Sequence, residues 1–237
     1  MDGPSSVRDA GRERYFDRAD RAVWVAAALL VLVVVIALLV PTEPLAIDQA
    51  WSEAMQDIQT PRLRHAALVF DALGRPVGVA LLLVAVGVVL LRARRWRALV
   101  LFATVEALAP LSSAFLKALT GRARPPEGVV HPHGTSFPSG HTTYAAAISV
   151  ALVLLFTRPG PRRRKWWLLA GLGTVAMAWS RTYLQVHWLS DVIGGALLGL
   201  GIALLVFGVA QTHPVSRGGS HGRRRRGHRA QRESATE

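Results

Sequence analysis

The sequence contains no cysteine, which excludes disulfides and thiolate metal sites and leaves the redox state of its compartment open. Acidic residues are also scarce: 15 Asp and Glu stand against 28 Lys and Arg, a formal net charge of +13 in 237 residues. An excess of that size is compatible with nucleic-acid binding, and Arg223-Arg224-Arg225-Arg226 would fit a basic tail. Missing, too, is a small-residue cleavage site after the first apolar run. Pro41-Thr42-Glu43-Pro44 follows instead, so the run is expected to be a retained span rather than a removed leader.

What the chain has in plenty is apolar sequence. Hydrophobic residues make up 51% of it and the mean hydropathy is +0.30, more than a soluble domain of this size needs. Residues 22–40, AVWVAAALLVLVVVIALLV, carry no charge and have about the length that crosses a bilayer. Further apolar runs cover roughly residues 76–91, 98–116, 142–156, 166–179 and 192–209. The expectation is an all-α polytopic membrane protein, a six-helix transmembrane bundle over residues 22–211. The second run begins as early as His65 if Asp71 and Arg75 sit at an interface.

The basic residues alternate between the ends of these runs. Arg8, Arg12, Arg14, Arg18 and Arg21 precede the first, and Arg92, Arg94, Arg95 and Arg97 separate the second from the third. Arg158, Arg162, Arg163, Arg164 and Lys165 separate the fourth from the fifth, and the Arg-rich tail follows the sixth. The positive-inside rule then makes all four segments cytoplasmic, and six crossings allow that only with both termini on that side. The opposite face receives about residues 41–75, 117–141 and 180–191. The first of these holds Trp51 and SEAMQDIQTPRLRH, which reads as an interfacial helix over whatever site lies there. The termini, residues 1–21 and 212–237, read as disordered, and contact with anionic lipid headgroups is the expected role of the tail.

Three polar clusters fall on that opposite face. In KALTGRARP, residues 117–125, Lys117 and Arg124 would clamp an anion; the plainer alternative is a snorkelling lysine with Arg122 and Arg124 in an exposed loop. In SFPSGHTTYAAA, residues 136–147, Ser139 and the N–H groups of a starting helix would seat an anion, Gly140 would let the backbone approach, and His141 would exchange protons beside it. In SRTYLQVHWLSD, residues 180–191, His187 and Asp191 share a face if the helix starts at Val186. A carboxylate there can hold Nδ1 and leave Nε2 nucleophilic, while a core hydrogen bond or a metal-ligand pair remain alternatives. Arg181 suits an anion better than a cation.

Together these motifs resemble the tripartite signature of the phosphatidic acid phosphatase type 2 superfamily. Lys117, Arg124 and Pro125 fill K-x(6)-R-P, residues 138–141 fill P-S-G-H, and Ser180, Arg181, His187 and Asp191 fill S-R-x(5)-H-x(3)-D. The flanking SFPSGH and HWLSDVIGG are similar to the membrane lipid phosphatase branch. The resemblance implies a lipid phosphate phosphatase or diphosphatase that needs no metal or other cofactor. In it His187 would be the nucleophile, Asp191 would orient it, and His141 would be the acid and base. Lys117, Arg124, Ser139, Gly140 and Arg181 would hold the phosphate oxygens. The implied setting is a bacterial plasma membrane with the site on the extracytoplasmic side and no nucleic-acid partner. The implied substrate is undecaprenyl diphosphate, phosphatidic acid or phosphatidylglycerol phosphate. Two other classes compete: a transporter or scramblase that binds a lipid phosphate in transit, and an adaptor acting through the Arg-rich tail.

Overall fold

A computed structural model describes residues 4–130 and 133–212, with side chains from residue 20 onward. Among these residues the structure is all-helical: α1 (Pro4–Leu39), α2 (Ala46–Asp57), α3 (Pro61–Gly74), α4 (Pro76–Arg92), α5 (Trp96–Thr120), α6 (Gly140–Phe156), α7 (Arg163–Tyr183) and α8 (Leu189–Thr212). Each expected apolar run lies within one helix, except that Val40, the last residue of the first run, follows the end of α1.

By length and composition, residues Asp20–Leu39 of α1, together with α5 and α8, can each cross a membrane. The α3–α4 pair makes a fourth candidate if counted as one span, bent by 60° at its break. The break follows from Pro76, which lacks an N–H and clashes with a continued helix, so Arg75 turns extended at φ −74° and ψ 160°. The residues from His65 to Asp71 therefore lie in a separate helix that precedes the second run. At 17 residues, α6 is a shorter apolar helix.

Two readings of the flanks change. The stretch from Pro4 is helical, not disordered, because extending a helix that the apolar span has already nucleated costs far less than starting one. Residues 41–75, the segment expected on the outer face, form two helices, since Thr60 caps α3 by accepting the Leu63 N–H and Pro61 opens it. The Arg-rich tail lies outside the described residues.

One apolar core joins α1, α4, α5, α6 and α8 through residues such as Val33, Leu90, Val105, Ala151 and Ile202. The α6 and α8 backbones touch: a Cβ on Gly199 would lie 2.2 Å from the Thr143 carbonyl oxygen. A second small cluster, Met55, Ala67, Tyr183, Leu184 and Val186, fastens α2 and α3 to the segment after α7.

The basic connections meet at one end of the bundle. Arg95 Nη2 donates to the Leu155 carbonyl at 2.8 Å, and Arg163 Nη2 to the Val153 carbonyl at 3.2 Å. The polar clusters occupy the opposite helix ends: the last turns of α5 and α7 and the first turns of α6 and α8. Gly121, at φ +60°, stops α5 by returning its N–H to the Lys117 carbonyl, which leaves Lys117 in the last turn.

Candidate active site

At that end a cavity of about 350 Å³ is lined by four cations, Arg75, Lys117, Arg124 and Arg181, and by His141, His187, Asp71, Gly140 and Val130. Six of the eight residues expected from sequence thus share one wall. The other two, Ser139 and Asp191, are fully buried and are not on the lining. A larger groove of about 1060 Å³ opens between α6 and α7 at the basic end, but its lining holds no histidine or carboxylate.

His187 and Asp191 meet by a route other than a shared helix face. The helix begins at Leu189, so His187 precedes it and Asp191 sits in its first turn. Asp191 Oδ2 accepts the Trp188 N–H at 2.8 Å, and this fold-back brings it within 3.4 Å of His187 Nδ1. The Ser136 hydroxyl also donates to Oδ2 and lies 3.5 Å from the same ring nitrogen. Nδ1 is thereby the protonated nitrogen of the ring, and Nε2 keeps its lone pair on the cavity side. Burial pushes the His187 imidazole down to about 3, with Asp191 opposing that shift and Arg124 and Lys117 adding to it. The ring is therefore neutral near neutral pH.

Two of the four cations are held by carbonyls. Lys117 Nζ donates to Thr135 O at 2.8 Å and Ser136 O at 3.2 Å. Arg124 donates to Gly134 O at 2.9 Å, Val186 O at 2.8 Å and Thr135 O at 3.2 Å, and its Nη1 lies 3.1 Å from His187 Nε2. The guanidinium therefore faces the spot that an atom bonded to Nε2 would occupy. Ser139 forms the N-cap of α6; its N–H is committed to the Asp191 carbonyl at 3.0 Å, and its hydroxyl accepts from Thr142. A Cβ on Gly140 would meet nothing nearer than Ser113 Oγ at 3.8 Å, so the protein itself does not demand glycine there.

Sequence reasoning missed Asp71. Its Oδ1 accepts from Arg181 Nη1 at 2.5 Å and lies 3.6 Å from His141 Nε2, while Arg75 donates to Oδ2 at 2.8 Å. One carboxylate thus holds two cations and faces the second histidine. His141 Nε2 itself has no hydrogen-bond partner among the described residues. The available signal was two charges inside an apolar run. Arg122 is the opposite of an exposed loop residue: its side chain is wholly buried between Asp48 and Asp191.

The chain is similar to known proteins of one family. The family described as the PAP2 superfamily matches residues 98–214. The chain is 31% identical over 167 residues to phosphatidylglycerophosphatase B of Bacillus subtilis (strain 168), covering 68% of this chain and 82% of that protein. It is 38% identical over 87 residues to an undecaprenyl-diphosphatase of Sulfolobus acidocaldarius, covering 36% of this chain and 39% of that protein. The crystal structure of a transmembrane PAP2 type phosphatidylglycerolphosphate phosphatase from Bacillus subtilis superposes with a TM-score of 0.66 at 27% identity, over 81% of this chain and 98% of that one. That of Aquifex aeolicus LpxE shares the fold, with a TM-score of 0.59 at 22% identity, over 70% of this chain and 97% of that one.

Proposed function

The chain belongs to the PAP2 superfamily, and from that premise we propose that it is an integral membrane phosphatase that hydrolyses a lipid phosphate through a phosphohistidine on His187, without a metal ion. The observation that carries the reading is the convergence of His187, His141, Lys117, Arg124 and Arg181 on one small cavity.

In this reading His187 Nε2 attacks phosphorus in line with the lipid oxygen. The P–N bond forms as the P–O bond breaks, and the departing oxygen takes a proton from His141. His141 then removes a proton from water, which attacks the phosphohistidine and returns His187. Charge spreads over the non-bridging oxygens in both steps, and Lys117, Arg124, Arg181 and the N–H groups at the start of α6 are the donors that meet it, while Ser139, buried off the cavity wall, sets the start of that helix as its N-cap. As phosphate enters, Arg124 Nη1 exchanges its contact with His187 Nε2 for one with a phosphate oxygen. The four cations on the cavity wall would repel a metal ion and attract a phosphate, which supports chemistry run by the protein alone.

The same reading takes six crossings, with α3 and α4 as one bent span, and puts the basic loops in the cytoplasm and the cavity on the extracytoplasmic face. Undecaprenyl diphosphate, phosphatidic acid and phosphatidylglycerol phosphate are the substrates to test. Purified protein with EDTA present is expected to release phosphate from at least one of them, and His187→Ala from none. Loss of release in EDTA, restored by a divalent metal, would overturn the metal-free mechanism. A folded protein silent toward all three would overturn the reaction.

Two variants probe the geometry. Arg124→Lys keeps the charge but loses the fork that spans carbonyls and phosphate, so kcat/KM is expected to fall by roughly 100-fold in the same assay. Unchanged kinetics would mean that Arg124 does not touch substrate. Gly74 packs on His141: a Cβ there would lie 2.1 Å from His141 Cδ2, and the ring must move. Gly74→Ala is expected to lower kcat by roughly 10- to 100-fold through misplacement of that ring. Its melting temperature should change little, since only a side chain has to give.

A further inference from the structure

Arg122, Asp48 and Asp191 have no exposed side-chain surface. Arg122 Nη1 donates to Asp191 Oδ1 at 2.7 Å and to Ser190 Oγ at 2.6 Å; Nη2 donates to Asp48 Oδ2 at 2.6 Å. Asp48 also accepts the Ser190 N–H on Oδ1 at 2.8 Å and the Ser190 hydroxyl on Oδ2 at 2.9 Å. Neither Arg122 nor Asp48 lines the cavity, so neither is placed to hold phosphate.

Charge counting gives the arrangement a purpose. A guanidinium paired with Asp191 alone would neutralise the carboxylate that faces His187. Here Asp48 takes the other edge of the fork, so one cation is shared between two anions. Asp191 then keeps negative charge toward the His187 Nδ1 proton. The Asp48 carboxylate comes from α2, and that helix also holds the connection between α7 and α8, where Gln185 Nε2 donates to the Ser52 carbonyl at 3.1 Å. Gln185 holds a left-handed φ of +55° in that loop.

We infer that Asp48 and Arg122 are positioning residues for the reaction: through the chain Asp48–Arg122–Asp191, helix α2 fixes the orientation and the available charge of the carboxylate that holds His187. The outer segment is thus a back wall of the nucleophile. The inference rests on the reading of His187 as that nucleophile.

Removing the charge of Asp48 and removing that of Arg122 have distinct consequences. In Asp48→Asn, Arg122 turns wholly onto Asp191. In Arg122→Gln, two buried carboxylates face each other without a cation, and the pair must take up a proton. In the double variant Asp191 is the one charge left, and it again faces His187.

The test measures kcat, KM and melting temperature for the full-length chain in detergent, with phosphatidylglycerol phosphate, phosphatidic acid and undecaprenyl diphosphate, and His187→Ala as control. Asp48→Asn is expected to lower kcat roughly 10- to 100-fold with KM changed by less than about twofold. Arg122→Gln is expected to lose more, and Asp48→Asn/Arg122→Gln to recover at least about tenfold over it. If either single variant fails to fold, the double variant and the remaining single carry the comparison, because the double leaves no new unpaired charge at either altered position. Activity per folded molecule within about twofold of wild type in Asp48→Asn, or a double variant no better than Arg122→Gln, overturns the inference. Wild type with no His187-dependent release removes the functional reading and the inference together, whereas His187-dependent release with an indifferent Asp48→Asn removes the inference alone.

Discussion

His187→Ala is expected to lower phosphate release by about four orders of magnitude or more while leaving the protein folded. The loss is large because the other side chains on the cavity wall are cations committed to carbonyls, a carboxylate paired with Arg181 and Arg75, and His141, which faces that carboxylate. The fold survives because Asp191 keeps three donors without the imidazole: the Trp188 N–H, the Ser136 hydroxyl and Arg122. Arg124 likewise keeps its carbonyl partners. A melting temperature within roughly 5 °C of wild type, measured beside the release assay, checks the second half of the expectation. Near-normal turnover by this variant would sink the mechanism.

Asp71→Asn is expected to have the next largest effect, and on two quantities at once. Arg181 is 2% exposed, its Nε is unpaired, and Asp71 is the carboxylate that balances its charge. Taking away that charge leaves a buried guanidinium uncompensated, which costs about 3 kcal/mol of stability. The same change removes the anion facing His141 and frees Arg181 to shift away from the phosphate oxygens. Loss of positioned acid and base assistance corresponds to roughly 100-fold or more in kcat. Asp71→Glu provides the control, since it restores charge with altered reach and should recover stability better than rate. Wild-type melting and turnover in Asp71→Asn would make the carboxylate a bystander.

The two variants differ in how visible their residues are in the sequence. His187 and Asp191 stand in a spaced motif among apolar runs, where charge is costly and therefore informative. The helices were equally visible, because every apolar run has helical length and the basic segments punctuate them. The break at Pro76 was half-visible: proline marks it, but its 60° bend depends on how α3 packs against α7. Asp71 was hidden because it stands beside Arg75 at a helical spacing of four, the pattern of an ordinary surface ion pair. Its actual partners, Arg181 and His141, come from distant segments, and no local spacing encodes such a meeting.

Arg122 and Asp48 were hidden for a related reason. An arginine between a glycine and an alanine at the end of a span reads as solvated, since arginine is rarely buried without partners. Both of its partners lie far away in sequence, one on α2 and one on α8. The His187–Asp191 contact shows the same limit on a finer scale. The two side chains lie close, but not across a shared helix face, because the capping turn at the start of α8, rather than an extra helical turn, brings them together.

The most direct test of the account is whether phosphate is carried on His187. Purified protein is mixed with lipid substrate labelled in its phosphate, quenched in base within milliseconds to seconds, digested, and searched for labelled peptide. The account predicts label on the peptide that contains His187, stable to base, lost in acid as a phosphohistidine is, and absent from His187→Ala. Phosphate release at full rate with no label on the protein at any time would contradict it.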